Sequence, residues 1–224
     1  MHKQEIILSG KRFLVIDLTE PLSEDTEVFP DDPKLEKEVF SDITITGYQH
    51  HIYKIGDHNF HPHGDAPKHQ NPDLQNKGFE VFSSEFNHAC LIDLEHTVMV
   101  SAEDIEPYAD ILSKKSAVII RTGYDKHLES NKPHDPSKIP YLNKTAADYL
   151  FDLKNLRVIG TDSLTIDRIG ARYAHQKLRD RLILESLVHL YEISVVEFDL
   201  QTCPIRIVGA TGGPVAANAF VTLE

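Results

Sequence analysis

Residues 59–69 read Asn59-Phe60-His61-Pro62-His63-Gly64-Asp65-Ala66-Pro67-Lys68-His69, a stretch with three histidines and one carboxylate. Histidine nitrogens and carboxylate oxygens are the usual protein ligands of zinc, manganese and iron. If the segment is extended, the one-residue alternation puts His61, His63 and Asp65 on the same face. A polar, histidine-rich loop is the alternative interpretation. The alternation and the flanking prolines favour a metal site that includes His61, His63 and Asp65.

Length and composition indicate one domain over residues 1–224, because a chain of this length can bury a single sizeable core. The net charge of −12 argues against a nucleic-acid partner, which would need clustered lysine and arginine. The two cysteines, Cys90 and Cys203, stand in no metal-ligand spacing and are predicted to be inert thiols. No apolar run approaches the roughly 20 residues of a membrane span, and residues 1–11 lack signal-peptide features. We therefore expect a soluble, cytoplasmic protein without a membrane partner.

The fold class predicted from the sequence is α/β, with a mixed β-sheet and helices inserted between some of its strands. Short apolar or β-branched runs typical of strands recur along the chain. They cover residues 12–18, 43–55, 89–94, 117–121, 157–161, 193–200, 204–208 and 219–223. Two helices are predicted, over residues 145–153 and 173–191.

Two further carboxylates are candidates for the same site. Glu185 lies in the second predicted helix with His189 four residues later, so both side chains would project from one face. Leu178 and Leu182 lie near that face, which suggests that Glu185 points inward, where a carboxylate needs a partner or a metal. A helix rotated to leave Glu185 in solvent is the alternative. Glu197 lies in the middle of a predicted strand, where a charged residue between apolar neighbours needs water or a partner.

With these residues in view, the chain resembles the cyclase-type metal-dependent hydrolases, the family that includes bacterial kynurenine formamidase and isatin hydrolase. That family carries the signature His-x-Gly-Thr-His-x-Asp-x-Pro-x-His, and its second half matches His63-x-Asp65-x-Pro67-x-His69. Weaker similarities follow in the family's order along the chain. They lie at residues 17–19, 30–33, 121–125, 160–167 and 209–215.

The resemblance implies a fold, a site and an activity. The fold would be a swivelling β/β/α-like single domain, and the protein a homo-oligomer, most simply a dimer. His63 and Asp65 would bind one or two divalent ions, zinc or manganese, with Asp65 able to bridge them. His69 would be the general acid/base and Glu197 a ligand of the second ion. The implied reaction is hydrolysis of a small amide, formamide, cyclic imide or lactone.

The chain departs from the family pattern at two places. The first histidine of the signature falls on Asn59, a poor substitute for imidazole, and the nearby histidines are His58 and His61. Which of these three side chains is the first ligand stays open at this point. Glu185 aligns with a second-metal histidine of the family, and oxygen ligation would shift the preference from zinc toward manganese, magnesium or calcium. His189 is a further possible ligand.

These departures leave three interpretations of the function open. The first is a metal-dependent amidohydrolase, and the second is a non-catalytic protein that binds a small molecule or a metal on the same fold. The third is an enzyme that uses one ion for lyase or cyclisation chemistry. The retained His69 favours the enzyme, because a binding protein does not need a base there. No substrate-binding residue can be assigned. Because the chain has no tryptophan, stacking of an aryl ring would fall to another aromatic side chain. The candidates are Tyr48, Tyr53, Phe60 and Phe79.

The remaining polar residues are interpreted as structural. Asp162 and Ser163, and the segment 122–124, are expected in turns or packing as readily as against a substrate. Arg121 and Arg206 could pair with a substrate carboxylate, but structural salt bridges are the favoured interpretation. The other histidines are assigned to the surface or to local hydrogen bonds. These are His50, His51, His88, His96, His127, His134 and His175.

Overall fold

The computed structural model describes residues 2–223, and over them the chain forms thirteen strands and six short α-helices. The strands are β1 (Lys3–Leu8), β2 (Lys11–Asp17), β3 (Glu36–Ser41), β4 (His50–Lys54), β5 (His63–Asp65), β6 (Glu85–Asp93), β7 (Met99–Val100), β8 (Ala117–Arg121), β9 (Tyr141–Leu142), β10 (Val158–Thr161), β11 (Leu182–Glu185), β12 (Glu197–Pro204) and β13 (Gly212–Leu223). The α-helices are α1 (Ile43–Thr46), α2 (Ala102–Ile105), α3 (Ala109–Leu112), α4 (Asp125–Leu128), α5 (Lys144–Asp152) and α6 (Tyr173–Leu178). Single 3₁₀ turns lie at Pro72–Leu74, Phe79–Val81, Glu106–Tyr108 and Leu190–Glu192.

Nine of the strands form one mixed sheet that closes on itself. Its order is β1-β2-β13-β12-β6-β8-β10-β11-β5, and β5 also pairs with β13. The second pairing of β5 closes the strands from β13 to β5 into a barrel, with β2 and β1 extending from β13. Strands β6, β8, β10 and β11 run parallel, whereas β5 is antiparallel to both of its neighbours. The predicted mixed α/β fold is confirmed.

The parallel strands are apolar on both faces because both faces are covered. In β8, Ile119 belongs to the cluster inside the barrel, whereas Val118 and Ile120 pack in a second cluster with the helices. Leu150 of α5 and Leu178 of α6 contribute to this outer cluster. Runs without hydrophobic alternation are the pattern expected for strands buried on both sides. The core of the protein therefore lies on both sides of these strands.

Most predicted strands are found near their expected positions, within β2, β6, β8, β10 and β13. The run 43–55 was compatible with one long strand or a hairpin, and it is part of a hairpin separate from the main sheet, in which β3 pairs with β4 and α1 lies at the turn. One strand, β12, replaces the two predicted over residues 193–208. The first predicted helix is α5, with Asn143 as its N-cap accepting a hydrogen bond from the Ala146 N–H.

The second predicted helix, over residues 173–191, is wrong in its second half. Helix α6 ends at Leu178, and after a turn the chain continues as β11. Leu182, Ile183 and Leu184 are all buried, with Leu182 and Leu184 inside the barrel and Ile183 in the outer cluster. An amphipathic helix would have exposed one of its faces, so this continuous apolar run is better satisfied by a strand covered on both sides. Glu185 and His189 therefore do not share a helical face.

None of the helices between residues 2 and 223 is both long and apolar enough to cross a membrane.

A buried carboxylate organises the loop that follows β8. Both side-chain oxygens of Asp162 accept a hydrogen bond from the Thr122 N–H at 3.0 Å, and the Gly123 and Tyr124 N–H groups donate at 2.8 and 2.9 Å. The Thr122 hydroxyl donates to the same carboxylate at 2.7 Å. Gly123 has a φ of +83°, which a side chain would strain. Asp162 and residues 122–124 are thus structural, the first of the two roles expected for them.

We expect Asp162→Asn to destabilise the fold by about 1–3 kcal/mol, because the amide group turns an NH₂ toward backbone donors and leaves a buried group unpaired. Urea unfolding followed by circular dichroism measures this change. Asp180→Asn, at an exposed position, is the matched control and should leave the midpoint unchanged. Equal midpoints for the two variants would contradict the structural role of Asp162.

Candidate metal centre

Strand β5 brings the centre of the 59–69 segment into the barrel wall. Its three residues are buried, and its register places His63 opposite Glu185 and Asp65 opposite Ile183. Because β11 ends at Glu185, this carboxylate lies at the carboxyl end of a parallel strand. Its Oε2 is 3.2 Å from His63 Nε2. Glu185 points inward, which is one of the two orientations that the sequence left open, but it does so from a strand and not from a helix.

His175 is the residue that sequence reasoning missed, since it was assigned to the surface or to local hydrogen bonding. It lies on α6 and is buried, with its Nε2 2.9 Å from Asp65 Oδ2 and 3.2 Å from Glu185 Oε1. The inferred loss of the second-metal histidine at Glu185 is therefore wrong, because an imidazole and a glutamate are both present beside Asp65. One sequence feature could have pointed to His175, namely the aspartate eight residues before it. The Asp167 carboxylate accepts hydrogen bonds from the N–H groups of Ala174 and His175.

Among the three candidates for the first ligand, the structure brings His58 to the site. His58 Nδ1 is 2.9 Å from Asp65 Oδ1. The Asn59 amide turns away and donates to the Pro33 carbonyl at 2.9 Å. His61 is buried with its Nδ1 3.1 Å from Glu20 Oε2 and lines the edge of the site without joining the candidate ligand groups. The prediction that His61 is a ligand is therefore corrected, because His61 lies outside the candidate ligand groups.

The hydrogen bonds behind three imidazoles determine which ring nitrogen can bind a metal. The Thr211 hydroxyl donates to Asp57 at 2.8 Å, so it must accept from His58 Nε2–H, which lies 3.0 Å away. His63 Nδ1 donates to the Phe60 carbonyl at 3.0 Å. His175 Nδ1 pairs with Asp167 Oδ2 at 2.7 Å. In its neutral form each ring therefore presents an unprotonated nitrogen to the interior, as metal-binding histidines do.

Asp65 shows that these side chains fit a metal. Both of its oxygens are buried, and within residues 2–223 neither has a hydrogen-bond partner of acceptable geometry. His58 Nδ1 and His175 Nε2 each lie 2.9 Å from one of these oxygens. Carboxylate oxygens and imidazole nitrogens gathered in this way are a donor set that can bind a metal ion.

Two groups of potential ligands share this carboxylate. His63, Asp65 and Glu185 form one, and His58, Asp65 and His69 form the other, with the ligand atoms of each group within 4.8 Å of one another. His58 approaches one oxygen of the Asp65 carboxylate and His175 the other. These side chains would hold one or two ions, with Asp65 available to both groups.

The buried carboxylates and imidazoles of the site are coupled by charge. Burial would raise the pKa of Asp65, but the neighbouring His175 and His58 hold it well below its usual range. Burial would likewise lower the pKa of His175, yet Glu185, Asp167 and Asp65 raise it well above the usual value. A divalent ion would compete with protons for these side chains, so its binding would depend on pH.

His69 differs electrostatically from the neighbouring His58 and His175, whose pKa values are raised by nearby carboxylates. Burial is the main reason why its pKa falls to about 4, so its ring is neutral at pH 7. Its ring centroid is 4.0 Å from that of His58 and 5.6 Å from that of His175. Gln70 Nε2 lies 3.3 Å from His69 Nε2. A neutral imidazole beside the ligand cluster is able to accept a proton.

Glu197 and His189 are not brought to the cluster, which corrects their assignment as ligands. Glu197 begins β12, is exposed and pairs with Lys115. His189 Nδ1 pairs with the Asp17 carbonyl at 2.7 Å, and its ring stacks on His2 with 4.2 Å between centroids. Strand position alone did not reveal that Glu197 faces solvent.

A cavity of about 310 Å³ opens in front of the site. The side chains of His58, His63, His69, His175 and Glu185 form its inner wall. Its remaining lining includes Phe29, Asp32, Gln70, Leu164, Arg168 and Ile169.

The aromatic residues that were considered for stacking lie elsewhere. Tyr48 and Tyr53 are exposed, Tyr48 after α1 and Tyr53 on β4, and Phe79 is in the barrel core. Phe60 lines a different cavity. Phe29 is the aromatic residue placed against the site.

Comparisons with known proteins agree with this architecture. Residues 16–168 match the family model described as "Putative cyclase". Isatin hydrolase A from Labrenzia aggregata superimposes with a TM-score of 0.77 at 22% identity, over 93% of this chain and 94% of that one. Isatin hydrolase A from Ralstonia solanacearum gives 0.73 at 18% identity, over 92% and 91%. A potential metal-dependent hydrolase with cyclase activity gives 0.71 at 22% identity, over 92% and 98%. Comparison with curated protein sequences returns no match.

We expect Thr211→Val to weaken metal binding by about 10- to 100-fold, the usual effect of losing a group that orients a ligand. The substitution keeps the shape of the side chain but removes the hydroxyl that links His58 to Asp57. Competition with a chromogenic chelator measures zinc and manganese affinity. Thr222→Val, at an exposed position of β13, the strand that begins directly after Thr211, is the matched control. Wild-type affinity in Thr211→Val would show that the hydroxyl does not orient His58.

We expect Gly212→Ala to weaken metal binding as well. A Cβ at this position would lie 2.6 Å from His58 Cε1, 2.8 Å from His58 Nδ1 and 2.9 Å from the Gly64 carbonyl oxygen. The ring must move, since the carbonyl belongs to the closing strand β5. Metal content after dialysis, measured by elemental analysis beside the melting temperature, separates loss of the ligand from loss of the fold. A variant that binds metal as wild type does would contradict this placement of His58.

Proposed function

The chain belongs to the cyclase family, and on this premise we propose that it is a metal-dependent hydrolase of small amides. The observation that carries the proposal is the buried carboxylate of Asp65, which makes no hydrogen bond of acceptable geometry within residues 2–223 and has His58, His175, His63 and Glu185 around it. These five side chains would hold one or two divalent ions. Their mixture of nitrogen and oxygen donors suits zinc or manganese.

A divalent ion held by these ligands supplies a water of lowered pKa and polarises a carbonyl group. The protein contributes the proton acceptor for that water, and His69 is the residue proposed for this role. Its pKa of about 4 keeps it neutral, and it lies on the inner wall of the cavity beside the cluster. After accepting a proton, His69 can return it to the leaving amine, so the group ends the cycle as it began.

The cavity supports a small substrate. Its volume of about 310 Å³ is at the lower end of the range for small-molecule sites. Phe29, Leu164 and Ile169 offer an apolar wall against which a planar group can pack. Formamides, cyclic imides and lactones fit this description, and the isatin hydrolases among the structural neighbours are named for a cyclic amide. The homo-oligomer expected from the family resemblance stays a prediction.

A non-catalytic binding protein was the alternative function, and it rested on an altered site at Asn59 and Glu185. His58 and His175 supply the two imidazoles whose absence suggested that alteration. His69 also lies where a base would act, although a binding protein has no use for one. We therefore keep hydrolysis as the proposed function.

We expect the protein to be purified with at least one divalent transition ion per chain, or to bind one on reconstitution with zinc or manganese. His63→Ala and His175→Ala should each lower the metal content, because each removes an imidazole that lies within 4 Å of the cluster carboxylates. His88→Ala is the control, since His88 is exposed and pairs with Asp199. Elemental analysis makes the measurement. A metal content near zero for reconstituted wild-type protein would refute the hydrolase proposal.

His69→Ala should separate catalysis from metal binding. We expect metal content to be retained, while hydrolysis of a formamide, cyclic imide or lactone falls by about 10²- to 10⁴-fold, the usual contribution of a general base. His175→Ala should lose metal and activity together. Elemental analysis and kcat on the same preparations distinguish the two. Loss of all metal in His69→Ala would make His69 a ligand, and the base would then have to be another residue.

A further inference from the structure

Arg168 is placed at the outer part of the cavity with its charge unpaired. It is exposed, lines the cavity, and makes no side-chain hydrogen bond or ion pair with the rest of residues 2–223. It is also the only lysine or arginine in the part of the cavity wall that the structure describes. Arg121 and Arg206, the arginines that the sequence offered for a substrate carboxylate, are engaged elsewhere. Arg121 pairs with Asp93, and Arg206 donates to the Glu80 carbonyl.

The position of Arg168 relative to the metal ligands is set by its neighbours in the chain. The Ile166 N–H donates to Glu185 Oε1 at 2.6 Å, and the Asp167 carboxylate holds His175. Arg168 follows directly. The Ala171 N–H then donates to the Arg168 carbonyl at 2.7 Å, and Gly170 has the φ of +85° that this turn requires. The backbone of Arg168 is thus tied to the ligands Glu185 and His175.

The charges of the cavity give a substrate a preferred orientation. Asp65 and Glu185 lie at the inner end of the cavity. Asp32 also lines the cavity, where its charge interacts with His58 and His63. An anionic group directed away from the reacting carbonyl would meet repulsion near Asp32 and attraction near Arg168. A guanidinium forms charge-assisted, often bidentate hydrogen bonds with carboxylates.

We infer that Arg168 determines substrate specificity by binding a carboxylate that the substrate carries away from its scissile amide. The inference rests on the proposed hydrolase function and narrows it from small amides to small amides bearing a carboxylate. The amide would face His69 and the ligand cluster, the apolar body would pack against Phe29 and Leu164, and the carboxylate would reach Arg168. Because this contact is remote from the reacting atoms, its loss should raise KM more than it lowers kcat.

The test compares matched pairs of formamides on the metal-loaded enzyme. The 2-, 3- and 4-isomers of carboxyformanilide are each paired with the carbamoyl isomer, which has the same shape without the charge. We expect wild type to prefer the carboxylate in at least one pair. In Arg168→Gln that preference should fall by about 10-fold through KM, because a charge-assisted hydrogen bond is lost at an exposed position. The carbamoyl substrates should be little affected.

Further variants separate the charge of Arg168 from its bulk. Arg168→Lys should retain part of the preference and Arg168→Glu should reverse it, whereas added salt should weaken it in wild type. Arg172→Gln, at an exposed arginine outside the cavity lining, is the matched control and should behave as wild type. Hydrolysis with equal KM for both members of every pair, unchanged in Arg168→Gln, would overturn the inference and leave the hydrolase proposal standing.

If no formamide is hydrolysed, the proposed activity on formamides is refuted. The role of Arg168 is then tested by measuring how tightly the same compounds bind. Calorimetric titration of wild type and Arg168→Gln with the same pairs gives that answer. Tighter binding of a carboxylate isomer that depends on Arg168 would support the inference. Equal binding of both members, or binding of neither, would overturn it.

Discussion

The carboxylate of Asp65 is the constraint on which the site depends. It is buried in the barrel wall, where an isolated negative charge is costly unless cations or hydrogen bonds compensate it. The imidazoles of His58 and His175 each lie 2.9 Å from one of its two oxygens. Both rings are themselves held from behind, by Thr211 and Asp167. The negative charge of Asp65 is thus compensated by nearby imidazoles, and the same donor atoms form the candidate metal site.

Barrel closure is what makes this placement possible. Strand β5 has only three residues, and it is paired on one side with β11 and on the other with β13. The first pairing delivers Glu185, and the segment beside the second delivers Thr211 and Gly212, which shape the environment of His58. Because both neighbours fix the register of β5, its alternating side chains cannot slip to the other face. The same scaffold also fixes the backbone position of Arg168. Ile166 is hydrogen-bonded to Glu185 and Asp167 to His175, and Arg168 is the next residue in the chain.

The errors made from sequence have identifiable physical causes. The residues after Tyr173 contain leucines at helical spacing, but burial on both sides of β11 outweighs that pattern and turns the second half into a strand. Glu197 has the apolar neighbours of a buried strand residue, yet its side chain lies on the exposed face with Lys115. His175 lies far from the 59–69 segment in the sequence, and no motif around it indicated a role in the site. Its role comes from contacts with Asp65 and Asp167, and the pairing with Asp65 spans 110 positions of the chain.

The sequence by itself indicated the cyclase family, the 59–69 segment as a source of candidate ligands, and the mixed α/β fold. Local sequence was sufficient for these predictions, because the types of ligand residue, the strand-forming runs and the order of the motifs can all be read from the sequence. Only the tertiary structure showed that His58, and not Asn59 or His61, lies beside Asp65. It also brought His175 to Asp65 and placed Glu197 and His189 outside the candidate ligand cluster. Those choices depend on which side chains converge on one buried charge. Convergence is set by strand register and barrel closure, which act between residues far apart in sequence.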